Sequence, residues 1–116
     1  MRIEELRKRA GEACKNLDLP KPEVIKKGIT FIKMRLKVKE EVTVELYFNE
    51  ETQTLTTALL VKGERVFGIN GYPRSGTWHI HPFGKVEEHR EIASMEIENI
   101  LQEYANVLRR IEKGCL

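Results

Sequence analysis

The feature that most constrains the fold is a pair of alternating segments between Ile32 and Phe48. In the first segment apolar residues alternate with cations, and after Glu40-Glu41 apolar residues again occupy every other position. A period of two places all the apolar side chains on one face of an extended strand. Because only two residues separate the segments, they predict an antiparallel hairpin with one buried face and one face in water.

Three more extended segments follow this hairpin. Leu55 to Val61 is more continuously apolar, and Arg65 to Ile69 returns after a Lys-Gly turn, where glycine accepts a positive φ. Asn70 to Gly76 contains Asn-Gly, Pro and Ser-Gly, which predicts a turn throughout. Thr77 to His81 is then a short fifth strand that a proline ends.

Helical periodicity marks both ends of the chain. The first 17 residues place apolar residues three and four positions apart, and the segment from about Val86 to Lys113 does the same before Gly114. The element order is therefore α-β-β-β-β-β-α. It predicts one α+β domain spanning residues 1–116, with an antiparallel sheet of about five strands flanked by the N- and C-terminal helices.

The composition is that of a folded globular protein. Hydrophobic residues make up 41% and charged residues 33%, and the net charge of +2 does not itself indicate a nucleic-acid partner. Lys and Glu dominate the charged residues and Asp18 is the single aspartate, a bias typical of thermophiles. The absence of an apolar run predicts a cytoplasmic protein without a membrane partner. Cys14 and Cys115 are predicted to be two thiols or a disulfide between the terminal helices.

All three histidines fall in the segment WHIHPFGKVEEH. In a strand, Trp78 and Ile80 face the core and His79 and His81 face the other way. The pair could divide proton transfer between an acid and a base, which RNA cleavage through the 2′-hydroxyl requires and which needs no cofactor. They could instead bind zinc together with His89, leaving an open coordination position. In the third interpretation they are surface histidines, with His89 in the first turn of the last helix.

Several side chains are candidates for substrate binding. Arg74 and Lys85 are the cations nearest to the histidines in the sequence, and Tyr72 lies in the preceding loop. A row of cations on the polar side of the hairpin could neutralise the phosphates of a bound strand, or pair with Glu45 on the facing strand. This row consists of Lys33, Arg35, Lys37 and Lys39.

Three segments from Glu45 onward carry a resemblance to a known family. They are ELYFN, the glycine-proline turn that leads to TWHIHPFG, and the amphipathic segment MEIENILQEYANVLRR. In these the chain resembles the TumE-like family of small prokaryotic toxin proteins. The resemblance implies a short antiparallel sheet with a histidine cluster before the C-terminal helix, matched here by His79 and His81. It also implies a small helix-turn-helix antitoxin as partner.

The sequence therefore predicts a toxin-like protein that acts on or binds RNA, with His79 and His81 as the acid and base of a ribonuclease. Two alternatives stay open. One is a noncatalytic module that binds a protein partner or forms a homodimer. The other is a metal-dependent hydrolase that uses His79, His81 and His89.

Overall fold

A computed structural model describes residues 1–114 of the protein. Within that range, neither helix is long and apolar enough to cross a membrane. The elements along the chain are α1 (Ile3–Asn16), β1 (Glu23–Lys27), β2 (Phe31–Lys39), β3 (Val42–Asn49), β4 (Thr54–Val61), β5 (Glu64–Tyr72), β6 (Thr77–His81), β7 (Arg90–Glu91) and α2 (Ile97–Glu112).

The strands form one antiparallel sheet in which each strand pairs with its neighbours in sequence, so the spatial order is β1 to β7. The hairpin expected from the alternation is present: β2 and β3 pair from Phe31 opposite Asn49 to Lys39 opposite Val42. Buried positions alternate along both strands. The α+β class and the flanking helices are confirmed, although the sheet has seven strands instead of five.

The two additional strands, β1 and β7, lie at the edges of the sheet. All five residues of β1 are exposed, and so are both residues of β7. Neither strand therefore carries the apolar alternation from which the other strands were predicted. Both exist because their backbones pair with β2 and β6, and such pairing leaves no mark on side-chain periodicity.

One face of the sheet packs against both helices. Leu6 and Ala10 of α1 and Ile100 and Tyr104 of α2 join the inward residues of the strands in a single buried cluster. The Tyr104 ring meets the Phe67 ring edge to face, with the centroids 5.1 Å apart. Outward residues of the strands alternate with these, so they form a second face that neither α1 nor α2 covers. We call this second surface the open face.

The C-terminal helix begins at Ile97 rather than near Val86, so the helix predicted for residues 86–96 was wrong. Residues 82–88 form two successive turns, and the chain then pairs with β6 as β7. This pairing satisfies backbone groups that β6 would otherwise leave open at the edge of the sheet. His89 consequently lies next to a strand, so its predicted place in the first turn of the last helix was wrong. That the three are surface histidines stays an open interpretation.

The turn predicted for residues 70–76 is shorter in the structure. Asn70 and Tyr72 belong to β5, where they pair with His79 and Thr77 of β6. Only residues 73–76 form the turn. Asn70, which was predicted to lie in a loop, is therefore part of the sheet and lies directly opposite His79.

Cys14 is buried in α1. Its burial raises the pKa of the thiol to about 11, so the reactive thiolate is scarce at neutral pH. Cys115 lies outside the described residues. The choice between two thiols and a disulfide stays a prediction.

Candidate functional site

Strand β6 carries two of the three histidines, and its alternation determines where they point. Trp78 and Ile80 pack against the core, which places His79 and His81 on the open face. Trp78 lies against β5 at its cross-strand partner Gly71, where an added Cβ would fall 2.4 Å from the indole ring. A glycine is therefore required at this position for Trp78 to anchor β6.

The three imidazole rings lie together at one end of the open face. The ring centroids of His79 and His81 are 5.2 Å apart, those of His79 and His89 4.9 Å, and those of His81 and His89 5.7 Å. His89 reaches the pair because Glu91, two residues later, pairs with His79. The same register places His89 beside His81. The return of the chain along β6 is thus what completes the cluster.

His81 is held by the loop that follows its own strand. Its Nδ1 lies 3.0 Å from the carbonyl oxygens of both Val86 and Glu88. Since a carbonyl oxygen only accepts hydrogen bonds, we assign the ring proton to Nδ1, which leaves Nε2 as the nitrogen free to exchange a proton. A histidine oriented in this way by a backbone acceptor is suited to acid/base chemistry.

His79 is oriented through a chain of hydrogen bonds that begins in the core. The Tyr104 hydroxyl donates to Thr57 Oγ1 at 2.6 Å, and the Thr57 backbone N–H donates to Asn70 Oδ1 at 3.2 Å. Because its oxygen is engaged, Asn70 presents its Nδ2 to Nε2 of His79, at a longer 3.5 Å. We therefore assign the proton of neutral His79 to Nδ1, with the lone pair on Nε2.

The surroundings of His79 favour its neutral form. Partial burial lowers the pKa of the imidazole, and the positive charges of His89, His81 and Arg65 lower it further. The ring is thus ready to accept a proton near neutral pH.

Arg65 is a component of the site that the sequence did not reveal. The pairing of β4 with β5 shifts between Leu59 and Leu60, so β5 contains one additional residue at Val66. A bulge of this kind turns the preceding side chain to the other face of the sheet. Arg65 therefore lies on the open face, where its charge acts on His79, and no alternation in the sequence indicates this.

Of the three substrate-binding candidates predicted in loops, one lies against the histidine cluster and two do not contact it. The Tyr72 ring stacks on His79 with centroids 5.5 Å apart, so this residue does belong to the site. Arg74 is exposed in the turn between β5 and β6, and Lys85 is exposed in the loop after β6. Within residues 1–114, no side-chain hydrogen bond or ion pair joins either cation to the histidines.

Three members of the predicted row of cations share the open face but lie on the far side of it. Lys39 does not, because the register of β2 shifts after Lys37 and pairs Lys39 with the buried Val42. Lys33 is in register with His79 through β3, β4 and β5, so the two are four strand spacings apart, about 19 Å. Arg35 pairs with Glu45 at 2.7 Å, and Lys33 approaches the same carboxylate at 3.7 Å. Lys37 is exposed. The cross-strand pairing with Glu45 is thus found for two members of the row.

The zinc hypothesis requires three ligand atoms that converge on one point. Among residues 1–114, no group of three His, Cys, Asp or Glu side chains is placed to hold a metal ion. His79 meets both of its neighbours edge to face, while His81 and His89 are stacked. Zinc binding stays a prediction that elemental analysis of the purified protein tests.

Comparison of the chain with protein-family models, with curated proteins and with solved structures finds no match. Its class follows from the fold of residues 1–114, which form an α+β domain with a seven-stranded antiparallel meander, two helices on one face of the sheet and a histidine cluster on the other.

Proposed function

We propose that this protein cleaves single-stranded RNA by acid/base catalysis at the histidine cluster. The observation that carries the proposal is the meeting of His79 and His81 on the open face, with each ring oriented by a partner of its own. A base and an acid about 5 Å apart can act on the two oxygens that flank one phosphorus atom.

The proposed reaction is attack by the ribose 2′-oxygen on the adjacent phosphorus. Nε2 of neutral His79 takes the 2′-hydroxyl proton as the bond between O2′ and phosphorus forms, and the substrate hydroxyl replaces the weak contact with Asn70. The bond between phosphorus and O5′ breaks, and protonated His81 gives its Nε2 proton to the leaving oxygen. The products are a 2′,3′-cyclic phosphate and a 5′-hydroxyl, so no water or metal is consumed in this step.

Arg65 is the cation best placed to stabilise the phosphate during this reaction. An added Cβ at Gly68 would lie 3.7 Å from Cδ of Arg65 and 3.8 Å from Cδ2 of His81. The two side chains therefore lie on either side of the space that a side chain at position 68 would occupy. A guanidinium in this position can bind the charge that develops on the phosphoryl oxygens.

The direct test is incubation of the purified protein with a labelled single-stranded RNA of mixed sequence. We expect cleavage that leaves 2′,3′-cyclic phosphate ends, and no cleavage of the same oligonucleotide with 2′-deoxyribose. His79→Ala and His81→Ala should each reduce kcat by roughly 100-fold or more, the usual contribution of a positioned acid or base. Lys15→Ala, an exposed cation on α1, is the matched control and should cleave like the wild type.

Chelator separates this proposal from the metal-dependent alternative. Activity that survives EDTA and depends on both histidines supports acid/base catalysis. Activity lost with EDTA and restored by zinc would replace it with metal-dependent hydrolysis. Absence of cleavage by wild-type protein over a range of RNA sequences would remove the ribonuclease proposal.

The resemblance to the TumE-like family extends this proposal to a cellular role as a toxin. Induced expression should then stop bacterial growth, and the His81→Ala variant expressed to the same level should not. The proposed partner is a small helix-turn-helix antitoxin, so co-expression of an adjacent gene for such a protein should restore growth. Equal growth with the wild type and the variant would contradict the toxin role.

A second candidate function, homodimerisation, is favoured by the exposed edge of the sheet. Val24 and Ile25 of β1 are 38% and 43% exposed, and the nearby Ile29 is 96% exposed. If β1 paired antiparallel with β1 of a second copy around Ile25, Glu23 would lie opposite Lys27 of that copy. Sedimentation of the wild type and of Ile25→Lys tests this, because a dimer should dissociate in the variant and a monomeric wild type excludes it.

A further inference from the structure

The open face contains a hollow of about 350 Å³ next to the histidine cluster. Its volume falls in the range of small-molecule sites. The hollow exists because small side chains occupy the middle of the sheet, where Thr56, Ala58 and Gly68 stand at neighbouring positions of β4 and β5. Taller side chains surround this floor, among them Lys33, Tyr47, Arg65 and Tyr72.

The hollow borders the histidine cluster through two residues that they share. Asn70 lines the hollow and contacts His79 at 3.5 Å, and Tyr72 lines it while stacking on the same imidazole. At Gly68, β5 has no side chain, which leaves a gap between Arg65 and His81. A ligand that fills the hollow and passes over Gly68 on the surface of the open face would reach His81.

The lining of the hollow is suited to a flat, polar and anionic ligand. Tyr47 and Tyr72 provide aromatic rings at two sides. The Asn70 amide uses one N–H toward His79 and keeps a second that can donate to a ligand. Arg65 adds a positive charge, and the negative charge of Glu45 is already neutralised by Arg35.

We infer that this hollow is a nucleotide subsite, which holds one base of the RNA while the attached phosphate lies between Arg65 and the histidines. The base stacks against a tyrosine ring and its polar edge meets Asn70. Stacking is possible for every base, so the subsite favours single-stranded RNA without selecting a particular sequence. This inference rests on the proposed function, because it names how the substrate of the same site is held.

Binding of an RNA that cannot be cleaved tests the subsite separately from catalysis. The probe is a fluorescently labelled 2′-O-methyl oligonucleotide of mixed sequence. Ala58→Leu fills the floor of the hollow and should weaken binding by roughly tenfold, as loss of one base–aromatic stack does. Thr43→Leu is the matched control, since it adds a similar side chain to the open face on β3, outside the hollow, and should bind like the wild type.

A second measurement locates the ligand. The methyl resonance of Ala58 should shift when uridine or adenosine monophosphate is added, and should stay in place with inorganic phosphate. Equal affinity of Ala58→Leu and Thr43→Leu, or an unmoved Ala58 methyl resonance, would overturn the subsite. If phosphate alone reproduces the shift, the hollow binds an anion and the assignment of a base is wrong.

The two proposals fail in different ways. Wild-type protein that cleaves RNA, together with an Ala58→Leu variant of unchanged KM, would retain the ribonuclease and remove the subsite. Wild-type protein that binds the 2′-O-methyl probe in an Ala58-dependent manner but cleaves no RNA would retain the subsite and remove the catalytic proposal.

Discussion

Asn70 is the side chain that connects the buried core to the proposed base. In Asn70→Asp, a carboxylate oxygen replaces the Nδ2 that faces His79, so a protonated His79 gains an acceptor. We expect the pKa of His79 to rise and the acidic limb of kcat/KM to move to higher pH, because the base is then protonated at a higher pH. NMR titration of the His79 ring measures this.

The control for this prediction is Asn99→Asp, which makes the same change at an exposed position in α2. It should leave the titration of His79 where it is in the wild type. If His79 titrates identically in Asn70→Asp and in the wild type, Asn70 does not position the ring.

The lowered pKa of His79 also makes the stability of the fold depend on pH. In the unfolded chain the histidine pKa returns to about 6.5, so between the lowered value and 6.5 the unfolded state binds more protons than the folded state. The free energy of unfolding therefore falls as pH drops below about 6.5. His79→Gln lacks this contribution. Its free energy of unfolding, measured in urea at about pH 7.5 and about pH 5.5, should therefore fall less on acidification than that of the wild type.

His89→Gln provides the comparison for the pH prediction. It removes one positive neighbour of His79 but keeps the burial of the ring, so it should remove only part of the dependence. An identical loss of stability on acidification in the wild type and in His79→Gln would contradict the prediction.

At the scale of secondary-structure elements, we expect replacement of glycine by alanine to have opposite effects on the free energy of unfolding at two positions. Gly71→Ala would place a Cβ 2.4 Å from the Trp78 ring, so β5 and β6 should separate locally, at a cost of about 1–3 kcal/mol. Gly11 is a residue of α1, and nothing lies within 4 Å of its added Cβ. Gly11→Ala should instead stabilise by about 0.5–1 kcal/mol. Urea unfolding of both variants measures the two changes in the free energy of unfolding. Equal changes would contradict the prediction.

The predicted and observed elements differ where a strand forms through backbone pairing with its neighbour and has no buried side chains. The alternation from Ile32 to Phe48 indicates β2 and β3 because one face of each is buried. In β1 and β7 every residue is exposed, so their side chains do not distinguish a strand from a loop. The start of α2 was predicted too early because the exposed residues 90–91 form β7 by pairing with β6, and their side chains do not indicate this pairing.

At the scale of the whole molecule, the net charge of +2 does not show that several cations lie together on the open face. The open face carries Arg65 at the hollow, together with Lys33, Arg35 and Lys37 along β2. Arg35 is already paired with Glu45, so three cations are left to replace counterions of a bound single strand. The logarithm of the RNA affinity should then fall with log salt at a slope of about −2.

Titration of the 2′-O-methyl probe at several salt concentrations measures this slope. Lys37→Gln, which removes one exposed cation of the open face, should make it shallower by about 0.7. Lys15→Gln on α1 should not change it. A slope near zero would mean that the open face does not bind the backbone of RNA.

The candidate site was predictable in part. The clustering of three histidines in twelve residues indicated the position of the site, and strand alternation placed His79 and His81 on one face. Arg65 was missed because a bulge at Val66 reverses its direction. Asn70 was assigned to a turn because of the Asn-Gly dipeptide, although the alternation of Phe67 and Ile69 continues through it as strand.

What the sequence determined by itself is local: where the chain is helical or extended, and which face of each strand is buried. These properties follow from periodicity, because burial selects apolar side chains at the spacing of the element. The tertiary structure alone decided which residues meet. The approach of His89 to His81, the direction of Arg65 and the contact of Asn70 with His79 arise from pairing between strands. Pairing depends on backbone hydrogen bonds, which are the same for nearly every side chain and so leave little record in the sequence.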